Sequence, residues 1–307
     1  MFANFTEVLP AFSVKDKPRS GMTEVGYLAI TSLWLICGVP SLGRRPHAGY
    51  FIAMRSLTGL IAGLTFIVSS PTWAIVGGAS PSAEGVGRSV VTIVGSRGNF
   101  CTGTLIAPDL VLSAAHCVGP GATYKIVEYG ADRQPKLRNV RKVADHPDFD
   151  MQAIRGHRAT ADVSLLQLEM PKTDPLPIGT VSMPLAAGNT FSIAGVGVTI
   201  RGDGKSGGVA RTASLAATGR PGTLQIRLVD PTAEGTRAGL GACTGDSGGP
   251  VIEDQHGKPV VIGVISWSTG PNSTGGCGGL TGVTPLTLYR DWIAQTARQW
   301  GSVLAAP

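Results

Sequence analysis

From Ile75 onward the apolar residues fall in short runs or alternate with polar ones, and Gly, Pro, Asn or Asp bounds nearly every run. That pattern predicts β-strands at residues 89–94, 103–106, 110–113, 124–129, 163–168 and 260–266. Only the end of the chain departs from a period of two. After Pro285, the positions Leu288, Trp292, Ile293 and Thr296 recur at helical spacing, which predicts one amphipathic helix over 286–300 docked on the body. The stretch 202–208 reads as an exposed loop, and no repeat of 20–50 residues is present. Forty-three glycines among Val, Ile, Leu and Thr runs fit many strands joined by tight turns, so the expected class is all-β.

The region before Ile75 has a different texture. Met54-Arg55 precedes an apolar stretch over 57–68 and then Ser69-Ser70-Pro71-Thr72-Trp73-Ala74, the basic, apolar and small-residue order of a secretory signal. Cleavage is expected after Ala74. The apolar core is shorter than the roughly 20 residues of a membrane helix, so no stable membrane association is expected once it is removed. A second short apolar run, 25–39, carries no chemistry. Residues 1–53 read as a leader extension outside a translation start at Met54, residues 54–74 as the signal peptide, and 75–307 as the mature domain.

Removing this leader changes two whole-chain properties. The formal charge of +6 falls to +3, because twenty basic and seventeen acidic residues remain. The densest basic stretch, Lys136, Arg138, Arg141 and Lys142, has no interleaved aromatics and reads as a solvated strand face, so no nucleic-acid partner is expected. Cys37 also goes, leaving Cys101, Cys117, Cys243 and Cys277. An even set in an exported chain suggests disulfides, with three pairings open.

Some candidate chemistries fail on spacing. Gly204-Lys205-Ser206 resembles the end of a phosphate loop, but Thr199 stands where its first glycine is required. His146, Asp148, Asp150 and His157 lie close in sequence without HExxH or paired CxxC spacing, and read as a polar loop; no metal is expected. One constellation remains. In Cys243-Thr244-Gly245-Asp246-Ser247-Gly248-Gly249-Pro250, a serine sits among glycines that let the backbone bend and gather its N–H groups. Ser113-Ala114-Ala115-His116-Cys117 places an imidazole after an apolar strand, and Asp162 heads another. A nucleophile, a base, a group to orient the base and donors for an oxyanion are what amide hydrolysis needs.

Together with Ile75-Val76-Gly77-Gly78 and Ser266-Trp267, these segments, in the order His, Asp, Ser, resemble the chymotrypsin-like (trypsin-like) serine proteases over residues 75 to about 300. The resemblance implies two six-stranded Greek-key β-barrels with a C-terminal α-helix and a cleft between the barrels. It implies that Ser247 attacks, His116 shuttles the proton, Asp162 holds the imidazole, and the N–H groups of Gly245 and Ser247 form the oxyanion hole. Ser266 would support Asp162, the 266–268 backbone would pair with substrate, and Trp267 would form a wall of the pocket. The implied disulfides are Cys101–Cys117 and Cys243–Cys277. A third family disulfide is missing, and Val196 replaces the tryptophan of the family's Gly-Trp-Gly segment.

The resemblance also implies that a free amino group on Ile75 pairs with Asp246 to assemble the pocket. Signal cleavage after Ala74 would expose that group directly, so no separate propeptide or activating protease is expected. The pocket is expected to hold Gly241, Ala242, Ser266, Trp267, Ser268 and Gly282. None of these carries a charge, so the expected residue before the scissile bond is apolar or aromatic, not Lys or Arg. No cofactor is expected, and Asn272-Ser273-Thr274 is a glycosylation acceptor in a suitable host. The expected partners are protein or peptide substrates and protein inhibitors, with a monomer as the default state and an extracellular location. Two rivals are a catalytically silent binding protein on the same fold and a membrane-tethered protease that keeps its leader.

Overall fold

The computed structural model describes residues 75–82, 85–129, 134–172, 179 and 190–306. The expected leader extension and signal peptide, 1–53 and 54–74, lie outside the described residues. Among the described residues there are thirteen strands: β1 (Ser80–Pro81), β2 (Val90–Gly95), β3 (Phe100–Ala107), β4 (Leu110–Ser113), β5 (Tyr124–Tyr129), β6 (Pro135–Asp145), β7 (Ser164–Leu168), β8 (Thr190–Gly195), β9 (Arg211–Ala217), β10 (Ile226–Val229), β11 (Pro250–Gln255), β12 (Lys258–Ser268) and β13 (Thr281–Pro285). Two helices accompany them, α1 (Met151–Arg155) and α2 (Arg290–Trp300).

The first barrel closes in the order β2-β3-β4-β7-β6-β5, with β5 returning to β2. Its strands alternate as a closed sheet requires, sending Val91, Ile93, Leu105, Val111, Ile126, Leu166 and Leu168 into one buried cluster. The second runs β8-β9-β10-β13-β12-β11 and closes through β11 on β8, while the two-residue β1 attaches to β9. Both are antiparallel and six-stranded, so neither leaves a long free edge.

A second cluster fills the other barrel with Phe191, Ile193, Leu215, Leu228, Val251 and Val264 and continues to Leu110, Leu112 and Leu165 on the back of the first. The barrels therefore share buried apolar surface. Helix α2 follows a 3-10 turn at Leu286–Leu288, buries Ile293, Thr296 and Ala297, and ends at Gly301 in the left-handed conformation. Leu288, expected on the buried face, is 54% exposed because the helix begins two residues later. The end of α2 reaches the first barrel: the Gln167 amide donates to the carbonyl of Trp300 and to Ser302 Oγ, and also to Asp109.

Candidate active site

His116 follows β4 immediately, in a 3-10 turn over Ala115–Cys117. The Cys101–Cys117 disulfide ties this turn to β3, and the Ser164 hydroxyl donates to the carbonyl of Ala114. Asp162 precedes β7, the neighbour of β4 in the barrel, and this pairing sets the imidazole beside the carboxylate. His116 Nδ1 lies 2.8 Å from Asp162 Oδ2, and the His116 backbone N–H donates to Oδ1 at 2.9 Å. The Ser266 hydroxyl, on β12 of the other barrel, donates to Oδ2 at 2.5 Å. Asp162 is fully buried, so all three donors stabilise a carboxylate that has no access to water.

An ionised carboxylate can only accept, and it therefore places the ring proton on Nδ1. That leaves a lone pair on Nε2, which lies 3.8 Å from Cys117 Sγ. His116 and Ser247 line one cleft of about 370 Å³, together with Phe100, Cys101, Gly245 and Ser268. Among the described residues no hydrogen bond joins Ser247 Oγ to His116 Nε2. Hydrogen bonds between a candidate nucleophile and its base are often long before a substrate tightens the geometry.

The turn bearing Ser247 is held from both barrels. Thr102 on β3 accounts for most of this: its N–H donates to the carbonyl of Ser247 at 2.8 Å, its hydroxyl donates to the carbonyl of Gly245 at 2.7 Å, and the same oxygen accepts from Val196 N–H. Gly245 sits at φ +94°, and a Cβ there would lie 2.5 Å from the Phe100 ring, so only glycine fits. The N–H groups of Gly245 and Ser247 have no acceptor among the described residues. Sequence reasoning passed over Thr102; its one signal is a polar residue inside the otherwise buried β3.

Asp246 is the second fully buried carboxylate. Its Oδ1 accepts from Gly197 N–H and its Oδ2 from Cys243 N–H, both at 2.8 Å. Burial pushes its pKa up to about 7, and the two backbone donors only partly oppose this. No cationic side chain pairs with it among the described residues. Gly197 was also missed: a Cβ there would lie 2.7 Å from the Asp246 carboxyl, which gives the Gly195-Val196-Gly197 segment its purpose whatever stands between the glycines. Ile75 is fully buried and held at φ +44°, a conformation costly for a β-branched residue. Val76 bridges to Gly241, so the start of the domain already lies against the expected pocket.

The remaining pocket residues divide. Ser268 lines the cleft that holds His116 and Ser247, whereas Gly241, Ala242 and Ser266 are not among its lining residues; Ala242 N–H donates to Thr281 Oγ1 at 3.0 Å, and a disulfide joins Cys243 to Cys277. Gly282 faces the other way, where an ideal Cβ would lie 2.0 Å from the Trp267 indole. The indole is covered on its outer side by the His157 ring, stacked at 4.6 Å and 15° between planes, with the Arg227 guanidinium 5.9 Å from its centroid. The polar stretch 146–157 thus has three separate roles. His146 packs against Tyr289 and Trp292, Asp150 caps α1 by accepting from Gln152 N–H, and His157 shields Trp267. Burial lowers the His146 pKa, with Asp148 opposing. Cys101, His116 and Cys117 bring potential ligand atoms within 4.8 Å of one another, but both sulfurs are committed to the disulfide.

Two closed six-stranded barrels carry a cleft lined by a serine and a histidine, and that histidine is bonded to a buried carboxylate. The Trypsin family model matches residues 75–293. The chain is 26% identical to Trypsin 5G1 of Aedes aegypti over 291 residues, covering 88% of this chain and 97% of that protein. It is 29% identical to Trypsin of Sus scrofa over 240 residues, covering 72% and 95%, and 30% identical to Serine protease 56 of Mus musculus over 217 residues, covering 64% and 34%. The chain belongs to the trypsin family of serine proteases.

Proposed function

We propose that this chain is a secreted serine endopeptidase that cleaves peptide bonds through an acyl-enzyme on Ser247. The observation that carries the reading is the fully buried Asp162, which receives the His116 ring, the His116 backbone and the Ser266 hydroxyl at once. The carboxylate holds His116 in the tautomer whose Nε2 can accept the Ser247 proton. As Ser247 Oγ bonds to the scissile carbonyl carbon, negative charge moves to the carbonyl oxygen, and the N–H groups of Gly245 and Ser247 are free to receive it. The imidazolium then protonates the departing amine as the C–N bond breaks. Water, activated by the same imidazole, hydrolyses the ester and restores Ser247.

The amino group of Ile75, released by cleavage after Ala74, is the proposed cation for Asp246. Cleavage would also abolish the φ torsion of Ile75, because its first atom is the carbonyl carbon of Ala74. Strain on the order of 1–3 kcal/mol is relieved at the moment the ammonium appears. Export is supported by the signal-like segment 54–74 and by two disulfides, which persist in oxidising compartments. Among the described residues no helix is long and apolar enough to cross a membrane. Gly241, Ala242 and Ser268 bring no carboxylate to the pocket, which supports an apolar residue before the scissile bond.

A serine-directed fluorophosphonate tests this reading. The processed protein should be labelled and Ser247→Ala should not; absence of label from both would favour a silent binding protein on the protease fold.

A further inference from the structure

We infer that Asp230 is a positioning residue for activation: its carboxylate braces the loop 230–241 into the seat on which the new amino terminus docks. This rests on the proposed pairing of Ile75 with Asp246 and names the residue that prepares it. Asp230 follows β10 directly and is 6% exposed. Its Oδ1 accepts from the N–H and the hydroxyl of Thr232, and its Oδ2 accepts from the N–H of Leu240, all at 2.8 Å. One carboxylate therefore joins the two ends of the loop. Of residues 231–240 only Ala233 is buried, so apolar packing cannot hold the loop and its shape depends on polar links. Burial raises the Asp230 pKa, but the N–H groups of Leu240 and Thr232, the Thr232 hydroxyl and the Arg237 charge together hold it below its ordinary value.

The far end of this loop is where the start of the domain rests. Val76 forms its bridge with Gly241, the residue after Leu240. An ideal Cβ on Gly77 would lie 2.4 Å from the carbonyl of Gly239, so the two backbones are in direct contact. Gly239 is seated on Asp230 in turn, since a Cβ there would lie 2.6 Å from Oδ2. Two residues beyond Gly241, the Cys243 N–H donates to Asp246 Oδ2. The same short segment thus holds the incoming chain and the carboxylate that its amino group must meet. Loosening the brace at Asp230 lowers the docked population without touching any group that reacts.

The test is Asp230→Asn in the processed protein. The amide keeps one oxygen for Thr232 but sets its own N–H groups against the Leu240 N–H. Reductive methylation with formaldehyde and cyanoborohydride, read by mass spectrometry of the amino-terminal peptide, reports how often the Ile75 amino group is undocked. Methylation of Ile75 should be about tenfold faster than in wild type, as losing a buried hydrogen bond to a charged group allows. Substrate that binds only the docked form draws the molecules back, so KM for a peptide amide should rise by up to about tenfold with kcat nearly unchanged and every molecule still labelled by fluorophosphonate. Thr232→Val removes one donor at an exposed position and should speed methylation about threefold; it decides if Asp230→Asn does not fold. A methylation rate unmoved in the labelled variant, or a fall in kcat with KM unchanged, overturns the inference. A labelled wild type whose Ile75 is methylated as fast as a free peptide of the same sequence overturns docking, and this inference with it, while the peptidase reading stands. Absence of both label and cleavage in wild type defeats the peptidase reading itself.

Discussion

Asp162 and Asp246 are both fully buried, one bonded to His116 and the other next to Ser247 in the chain, yet they are provided for differently. Asp162 receives an imidazole, a hydroxyl and a backbone N–H, and the imidazole can take up a positive charge. Asp246 receives two backbone N–H groups and no cation among the described residues, and its pKa is pushed up to about 7. A buried carboxylate is tolerated when its negative charge is answered, and otherwise holds a proton. Asp162 thus has a partner that can carry positive charge, while Asp246 has backbone donors alone among the described residues. In this reading the missing charge is the new amino terminus, and the device is a switch set by one peptide bond.

The sharpest way to break the comparison is to disturb each carboxylate separately. Asp162→Asn replaces an acceptor by an amide that can donate to His116 Nδ1, which favours the tautomer with its proton on Nε2. Peptidase activity should fall on the order of 10⁴-fold, as for other triads of this kind, with the fold retained by circular dichroism. Asp246→Asn should act through a different route. The amide cannot pair with the Ile75 ammonium, so the oxyanion donors lose their organiser and kcat should fall on the order of 10²- to 10³-fold. Inserting two residues between Ala74 and Ile75 should do the same to secreted protein, checked by amino-terminal sequencing alongside the activity assay. Full activity in that insertion would refute the pairing.

A pH series separates the two states without mutation. The Asp246 pKa is raised in the folded unprocessed chain, so the proton is held more tightly folded than unfolded. Its contribution to stability is full below the unfolded value near 4 and is lost as pH rises through about 7. The unprocessed chain, made with Ser247→Ala to prevent self-cleavage, should therefore show a melting temperature that falls between pH 5 and pH 8. The processed chain carries the ammonium and should show a flat or rising profile over the same range. Coincident profiles would mean that the new terminus never reaches Asp246. In the unprocessed chain, Asp246→Asn should remove the decline.

Much of this was legible in the sequence because it is carried by local strings. The strands β2, β4, β5 and β7 show as alternating or apolar runs, and Ser113 to Cys117 and Gly245 to Pro250 mark the turns after β4 and before β11 directly. β8 and β9, with sequences TFSIAG and RTASLAA, are rich in small residues of weak strand preference and take their identity from the pairing between them. The pocket was hardest to read. That Gly282 lies against Trp267 depends on the register of β13 against β12, and that pairing shifts between Ile265 and Trp267. A shift of one residue exchanges the two faces, and nothing in the local sequence reports it. Thr102 and Gly197 went unnoticed for a similar reason, since their partners are distant in the chain.

The smallest expected effect concerns what completes Asp162. Ser266 Oγ donates to the same oxygen, Oδ2, that holds the His116 ring, whereas Oδ1 takes only the His116 backbone. Ser266→Ala would remove one of three donors without removing the carboxylate, the ring or the route for the proton. Because donor and acceptor are both buried, the loss should lower stability by about 1.5–3 kcal/mol, measured by urea unfolding. Catalysis should suffer less than in Asp162→Asn, since the ring stays in its tautomer but loses part of the support that fixes its partner. A roughly tenfold fall in kcat with KM nearly unchanged is the expected outcome. Ser266→Thr, which keeps the hydroxyl, should recover most of it if the extra methyl is accommodated. A fall as large as that of Asp162→Asn would show that the hydroxyl, rather than the carboxylate alone, governs which nitrogen of His116 carries the proton.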